Sequence, residues 1–230
     1  MAGSPVRLAE KYRPRTWPEV CGQAKALSVL ETLRRHGGLC GRHYALSGKS
    51  GTGKTTIAEL IAEECADTFC ITRHVARHVT ADMVRGWIDE LGYIPMGARL
   101  GRVFIVNELH ELPRHVVSPM LDLLERAPSW CTFIFTTTVD GMEIFEEGID
   151  AHPFLDRCTT LSLTSQGLST AFAPRLREIA QAEGLDGQPV EAYARLIQRE
   201  CHGSLRKALE IVERGGMLKS DMADTKGGVE

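Results

Sequence analysis

The sequence lacks a long apolar run, and its first residues do not show the pattern of a secretory signal peptide. It has no C-x-x-C pair, and its seven cysteines are an odd number. We therefore expect reduced thiols in a cytoplasmic protein with no membrane partner. The formal net charge of -3 excludes a polycation, so any contact with nucleic acid must come from a local basic patch.

The composition is that of an ordinary globular protein. Hydrophobic residues make up 43% of the 230 residues and charged residues 25%. No internal repeat or low-complexity segment is present. The length suits one large domain, or one medium and one small domain, with a sizeable core.

One glycine-rich stretch, Gly48–Thr55, carries a clear chemical signal. It reads G-x-x-x-x-G-K-T between a short apolar run and a helical pattern, as a phosphate-binding loop requires. Glycines let several N–H groups surround one anion, and the helix N-terminus adds partial positive charge. The alternative is a glycine-rich turn with an incidental lysine. The predicted phosphate-binding residues are Gly48, Lys49, Ser50, Gly51, Thr52, Gly53, Lys54, Thr55 and Thr56.

The rest of the chain alternates apolar runs with helical patterns up to about residue 163. This predicts an α/β fold with a parallel sheet covered on both faces. We expect an ordered, non-helical arm over residues 1–25. Later elements are expected at 25–35 (helix), 68–75 (strand), 80–91 (helix), 102–108 (strand), 118–126 (helix) and 131–138 (strand). Within 155–163 a short apolar strand is expected after Asp156-Arg157-Cys158.

After residue 164 the pattern is helical only, with helices expected at 176–182, 189–201 and 204–214. This predicts an ATPase-type domain over 1–163 and a small helical domain over 164–214. Residues 215–230, with paired glycines, are expected to be a frayed tail.

Candidate catalytic residues stand at the carboxyl ends of the expected strands, where an open parallel sheet places its ligands. Glu108 is expected to polarise a water, and Asn107 to meet Mg²⁺ through a metal-bound water. Thr55, in the loop, is expected to ligate Mg²⁺. Thr137 and Thr138 are expected to contact the γ-phosphate or the water, although threonine also favours strands for structural reasons.

A zinc site is a second possibility. Cys65, Cys70, His74 and His78 form C-x4-C-x3-H-x3-H. The alternative is that Cys65 lies on a helix and Cys70 on the next strand, so that the four side chains point apart.

These motifs together resemble the AAA+ clamp-loader ATPases, both the bacterial gamma/tau type and the replication factor C small subunits. The resemblance covers residues 8–214. The matching segments are Glu10–Pro14 with Val20–Gln23 (first box), Gly48–Thr55 (Walker A), Val103–His110 (Walker B), Thr137–Thr138 (first sensor), Phe154–Cys158 (Ser-Arg-Cys motif) and Gly203–Leu209 (second sensor).

The resemblance implies a P-loop AAA+ fold of three α/β/α layers followed by a helical lid. It implies binding of ATP and Mg²⁺, with Lys54, Glu108, Thr138 and Arg206 serving hydrolysis. Arg157 would complete the ATP site of a neighbouring subunit in a ring. The residues expected around the base of the nucleotide are Tyr12, Arg13, Pro14, Val20 and Cys21.

The implied partners are other clamp-loader subunits, a sliding clamp and primed DNA. Arg77, His78 and Arg85 are candidates for DNA contact, and a solvated helix face is the alternative for them. The function so implied is ATP-driven loading of a clamp in replication.

Four departures from the family pattern stand out. Asn107 replaces the Walker B aspartate, which makes fast hydrolysis doubtful, and Asp156 replaces the serine before Arg157. The loop between Thr138 and Arg157 is longer than usual, and the collar domain and the bacterial zinc module are not in the sequence.

An ATP-binding assembly subunit with little hydrolysis is therefore an alternative. Another AAA+ DNA-processing ATPase, of branch-migration or initiator type, is a third reading.

Overall fold

The computed structural model describes residues 6–138 and 151–218. The chain divides into two compact units. An α/β unit comprises Arg15–Trp17 and Gln23–Thr164, and a helical unit takes the described residues of Met1–Pro14, Pro18–Gly22 and Ser165–Glu230. The N-terminal arm therefore clusters mostly with the helical unit. Within the described ranges no helix has both the length and the apolar character needed to cross a bilayer.

The regular elements alternate along the first part of the chain as the sequence predicts. In order they are α1 (Leu8–Lys11), α2 (Ala24–Arg35), β1 (Tyr44–Ser47), α3 (Lys54–Cys65), β2 (Ile71–Val75), α4 (Ala81–Glu90), β3 (Arg102–Asn107), α5 (Arg114–Arg126), β4 (Cys131–Thr137), α6 (His152–Leu155), β5 (Thr159–Ser162), α7 (Leu168–Ala182), α8 (Val190–Arg195) and α9 (Leu205–Glu213). A π-helical segment, Leu196–Glu200, continues α8.

The α/β unit is built on a five-stranded sheet of order β2-β3-β4-β1-β5 with parallel pairing throughout. The central strands are apolar and almost wholly buried, as expected of strands covered on both faces. Alternate residues of β3 and β4 face opposite sides of the sheet. Phe104 and Phe133 pack with α4 and α5, whereas α3 contacts β1, β3 and β4. The predicted three-layer α/β/α parallel-sheet fold is confirmed.

An aromatic row runs through the layer between the sheet and α4–α5. Phe104 stacks on Phe133 with ring centroids 4.8 Å apart, and Phe133 lies beside Phe135. Phe135 meets Phe154 of α6 edge to face, at 4.8 Å. Offset or edge-to-face aromatic pairs add to the stabilisation that burial provides.

The helical unit has its own core, formed by α7, α8, α9 and α1. Leu8 of the arm is buried in it, which holds α1 in place. Beside it, Lys11 and Tyr12 both donate hydrogen bonds to the Glu183 carboxylate. Ser204 caps α9 by accepting a hydrogen bond from the Lys207 N–H.

Several predicted boundaries were wrong. The arm is not free of helix, because burial of Leu8 supports one turn, and a 3-10 turn spans Trp17–Glu19. Strand β2 begins three residues late, because the Cys70 N–H bonds back to Asp67 in a 3-10 turn. Both α5 and α7 begin earlier than predicted and contain a proline in their interior. The predicted acidic loop lies largely outside the described residues, as does most of the predicted tail.

Candidate functional site

The carboxyl ends of β1, β4 and β5 lie level with one another. Ser47 is in register with Thr137 on one side and with Ser162 on the other. Strand β3 ends beside β4, with Val106 in register with Phe135. The residues that follow β1 and β3 therefore share one edge of the sheet, where open parallel sheets bind ligands.

The phosphate-type loop occupies this edge between β1 and α3, as predicted. Gly48, Gly51 and Gly53 have φ values of 141°, 83° and 100°, which side chains other than glycine rarely adopt. A Cβ atom on Gly48 would lie 2.4 Å from the carbonyl oxygen of Leu163. The loop thus needs glycine at position 48 for its backbone angle and for its close approach to the chain after β5.

Lys54, the first residue of α3, folds back over the loop. Its ammonium donates hydrogen bonds to the carbonyl oxygens of Gly48, at 2.6 Å, and Lys49, at 3.1 Å. The residue is 8% exposed. A buried ammonium beside a helix N-terminus makes a strongly positive pocket for an anion. Thr55 and Thr56 follow in the first turn of α3, both half-buried.

Gln23 supports the loop, a role that its sequence context did not predict. It is 5% exposed and has a left-handed backbone, with φ of 56°. Its amide nitrogen donates to the carbonyl oxygens of Thr52, at 3.1 Å, and Thr164, at 2.9 Å. Its amide oxygen accepts from the Thr164 N–H at 3.1 Å. The glutamine therefore joins the loop to the chain that follows β5.

Asn107 ends β3 where the resemblance places an aspartate. Its amide oxygen accepts a hydrogen bond of 3.0 Å from the Thr136 hydroxyl of β4. One of the two lone pairs of that oxygen is therefore in use, and the side chain brings no charge to the edge. Mg²⁺ binds oxygen ligands, and here Thr55 and Asn107 offer neutral oxygens only. The donor set fits Mg²⁺ that is held mainly by phosphate oxygens.

Glu108 follows Asn107 in a left-handed conformation, with φ of 58°, and leads into a 3-10 turn. The turn brings His110 back beside it. The His110 Nδ1 lies 3.6 Å from a Glu108 carboxylate oxygen and 3.1 Å from the Thr137 hydroxyl. His110 thus connects the predicted water-polarising group with the end of β4. No role was predicted for His110, because the chain direction after β3 depends on the left-handed backbone of Glu108.

The two sensor threonines differ in their surroundings. Thr137 is 1% exposed, whereas Thr138, just beyond the end of β4, is exposed. Their contact with a γ-phosphate stays a prediction.

Arg157 lies in the turn between α6 and β5. Its guanidinium donates to the Pro153 carbonyl and pairs with the Glu125 carboxylate of α5. Asp156, which replaces the serine of the family motif, is exposed. The arginine is therefore held by Glu125 of its own subunit. Its predicted role in a neighbouring ATP site stays a prediction.

The remaining predicted site residues belong to the helical unit. Tyr12 is bonded to Glu183, and Arg13 pairs with Glu10 at 2.7 Å. Burial raises the pKa of the Cys21 thiol. Pro14 and Val20 are half-buried, and Arg206 is exposed in the first turn of α9. Contact of these residues with a nucleotide stays a prediction.

The zinc possibility is excluded for the four residues concerned. Cys65 ends α3, Cys70 precedes β2, and His74 packs against Trp87 with centroids 4.8 Å apart. In the described part of the chain, no three His, Cys, Asp or Glu side chains are grouped closely enough to hold a metal ion.

The candidate DNA-contact residues are exposed. Arg77 faces Glu111 at 3.7 Å, and Arg85 pairs with Asp82 within α4. Their pairing with carboxylates suits a solvated surface as well as a phosphate-binding one.

Comparison with known proteins agrees with this geometry. Residues 44–150 match the ATPase family associated with various cellular activities (AAA). The DNA polymerase III subunit tau of Salmonella typhimurium is 28% identical over 231 residues, covering 90% of the chain and 34% of that protein. The replication factor C small subunit of Picrophilus torridus is 25% identical over 210 residues, covering 89% of the chain and 62% of that protein. The chain thus spans about a third of the tau subunit that it matches.

Solved structures share the fold. The Thermotoga maritima RuvB Holliday junction branch migration motor aligns with a TM-score of 0.64 and 21% identity, covering 88% of this chain and 64% of that one. A DNA polymerase III gamma subunit-related protein from Thermotoga maritima aligns with a TM-score of 0.54 and 15% identity, covering 79% and 57%. At these identities the similarity concerns the fold alone. The chain is therefore similar in sequence to the AAA family of ATPases over residues 44–150, and to the DNA polymerase III tau subunit and the replication factor C small subunit over most of its length.

Proposed function

We propose that this protein binds ATP with Mg²⁺ and hydrolyses it slowly, as an AAA+ subunit of a loader that places a sliding clamp on primed DNA. The observation that carries the proposal is the phosphate-type loop, with the buried Lys54 ammonium folded over it. The sequence similarity to tau, gamma and replication factor C subunits supports the link to replication.

Each residue at the carboxyl edge of the sheet has a defined role in this proposal. Backbone N–H groups of the loop and Lys54 neutralise the β- and γ-phosphates. Glu108 orients and polarises the attacking water, while the hydroxyl groups at the end of β4 hold the γ-phosphate. Thr55 and Asn107 would hold Mg²⁺, which when bound neutralises charge on the phosphate oxygens.

Oligomerisation belongs to the same proposal. In the proposed ring of subunits, Arg157 leaves its partner Glu125 and enters the ATP site of a neighbouring subunit. Arg206 of the helical unit contacts the nucleotide. The first box around Tyr12 holds the adenine, and the protein works in the cytoplasm on DNA.

Binding and turnover of ATP test the proposal separately. We expect Lys54→Ala to abolish ATP binding, because it removes the buried ammonium that lies over the loop. Glu108→Gln should keep binding and reduce turnover by about a hundredfold or more, a usual scale for loss of a general base. A Glu111→Gln protein is the matched control, since Glu111 ends the 3-10 turn that follows Glu108 and its carboxylate faces Arg77. Equal turnover in the Glu108→Gln and parent proteins would remove Glu108 from its role.

A second function is favoured by one specific observation. Asn107 brings no charge and its oxygen is already bonded to Thr136, which favours ATP as a tightly held assembly ligand. Native mass and phosphate release distinguish the two proposed functions when both are measured with ATP, Mg²⁺, a clamp and primed DNA. Assembly without turnover under all conditions selects the assembly subunit, and turnover stimulated by clamp and DNA selects the loader.

A further inference from the structure

The helical unit contains a cavity of about 320 Å³ that is lined by α8, by the π-helical segment Leu196–Glu200 and by the end of α9. All of its lining residues belong to this one unit, and none of them is a predicted nucleotide-site residue. Pockets for small ligands start at about 300 Å³. The cavity therefore has room for an apolar side chain of another molecule.

The most buried lining residues, Leu196 and Met217, form an apolar floor. They are 4% and 5% exposed. The turn that brings Met217 to the cavity closes tightly on Ile211. The Gly216 N–H donates to the Ile211 carbonyl at 3.0 Å, and a Cβ atom on Gly216 would lie 2.6 Å from the Ile211 Cγ2. This close approach fixes the floor as part of the folded unit.

The rim of the cavity carries two exposed arginines, Arg195 and Arg199. Within the residues that the structure describes, neither guanidinium has a hydrogen-bond or ion-pair partner. This contrasts with Arg175 and Arg177 of the same unit, which pair with carboxylates at 3.0 and 3.3 Å. A guanidinium presents five N–H donors in a fork that matches a carboxylate or a phosphate. Both arginines thus have unused donors beside an apolar floor.

Glu200 also lies on the rim and is exposed. Its carboxylate has no ion-pair partner in the described ranges, so no direct pair neutralises either arginine. The rim therefore has an excess of one positive charge. The segment that carries Arg199 and Glu200 is a π-turn, in which the Cys201 N–H donates to the Leu196 carbonyl at 3.0 Å. Such turns occur frequently at functional sites.

These features favour an acidic peptide over other anions. A free phosphate could use the guanidinium groups, but it would leave the apolar floor uncovered. A nucleic-acid strand carries a negative charge at every phosphate, and Glu200 on the rim repels such closely spaced charges. A peptide can place an apolar side chain on the floor with a carboxylate on each side of it, which suits both the floor and the rim.

We propose that this cavity is a docking site for an acidic peptide segment of a partner protein. An apolar side chain of the peptide enters the cavity, and the carboxylates that flank it pair with Arg195 and Arg199. The charge-assisted hydrogen bonds orient the peptide, while burial of the apolar side chain supplies most of the affinity. The inference goes beyond the proposed function and does not depend on it, because the cavity takes no residue from the phosphate-type loop.

The test uses the whole protein labelled with ¹³C at its methionine methyl groups. The probe is the peptide acetyl-Gly-Asp-Phe-Asp-Gly-amide, titrated at low salt. We expect the Met217 methyl signal to shift and to saturate at about 1 mM peptide or below. The signal of Met96, which is exposed in the α/β unit, should stay fixed. Peptides with Asn in place of Asp, or with Ala in place of Phe, should bind about fivefold more weakly or worse.

Variants of the rim test the charges. Arg195→Glu and Arg199→Glu should each weaken binding of the peptide about fivefold or more, and both positions are exposed, so the proteins should fold. Glu200→Gln should tighten binding about two- to fivefold, since it removes a repelling charge. Arg175→Glu is the matched control, because it makes the same change in the same unit outside the cavity lining, and it should leave the affinity unchanged.

A Met217 signal that does not move at about 5 mM peptide would overturn the proposal. So would unchanged or tighter binding in Arg199→Glu, or unchanged or weaker binding in Glu200→Gln. Inorganic phosphate or a short single-stranded oligonucleotide that shifts Met217 at lower concentration than the peptide would assign the cavity to another anion and also overturn it. Displacement of the peptide by ATP with Mg²⁺ would place the peptide in the phosphate-type loop, with the same result. Failure of ATP itself to bind would count against the proposed function alone.

Discussion

The pairing of Arg157 with Glu125 leads to a sharp prediction for Glu125→Gln. The two side chains are 31% and 53% exposed, so solvent screens their attraction. Exposed pairs of this kind contribute about 0.2–1 kcal/mol. Loss of the charge should therefore lower the free energy of unfolding by less than about 1 kcal/mol, because glutamine keeps the hydrogen-bond acceptor.

The same energy sets the expected effect on turnover. If Arg157 must leave Glu125 before it reaches a neighbour's site, then removal of about 0.5–1 kcal/mol of pairing raises the free fraction about two- to fivefold. ATP turnover of the assembled protein should rise by the same factor. The assay is phosphate release at saturating ATP across a range of protein concentrations, since a rate that depends on a neighbour rises with assembly.

Asp122→Asn is the matched control for this prediction. Asp122 lies one turn earlier on α5 and pairs with Arg126 at 2.8 Å, with similar exposure. It should leave turnover unchanged. Slower or equal turnover in Glu125→Gln would refute the reasoning, as would Arg157→Ala turnover equal to that of the parent protein.

Three further predictions concern the edge of the sheet. Gly48→Ala should lower the free energy of unfolding, measured in urea, by about 2 kcal/mol or more, because its Cβ would clash with Leu163. Gly38 also has a positive φ, of 84°, but open space around it, so Gly38→Ala should lower the free energy of unfolding by less. Equal losses in the two variants would contradict the clash. Gln23→Leu should lower the free energy of unfolding by about 2–3 kcal/mol through its lost buried hydrogen bonds, and a change near zero would mean that water replaces them. Asn107→Asp should speed turnover at saturating Mg²⁺, and an unchanged or slower rate would count against the metal argument.

The sheet was predictable because its strands are short apolar runs that end in polar residues. The run Val103–Val106 has no polar residue, so a central parallel strand was the natural interpretation, whereas the strand order and the register came only from the structure. The errors fell where tertiary contacts override local rules. Pro119 and Pro174 suggest helix breaks, yet both lie inside helices whose buried apolar stripes continue past them.

The loop was predictable in full, since its motif fixes both sequence and context. The residues that support the loop were not predictable. Gln23 acts through a left-handed backbone and two partners, Thr52 and Thr164, that are distant in sequence. His110 and Glu125 likewise depend on chain direction after β3 and on where α5 packs, which no local pattern encodes.

The edge-to-face contact of Phe135 with Phe154 has a mechanical consequence. Phe135 lies two residues before Thr137 at the end of β4, and Phe154 lies three residues before Arg157. Both rings are fully buried, so a shift of one strand end cannot be absorbed by solvent between them. A displacement of β4 at its carboxyl end would thus be transmitted through two phenyl rings to the turn that carries Arg157.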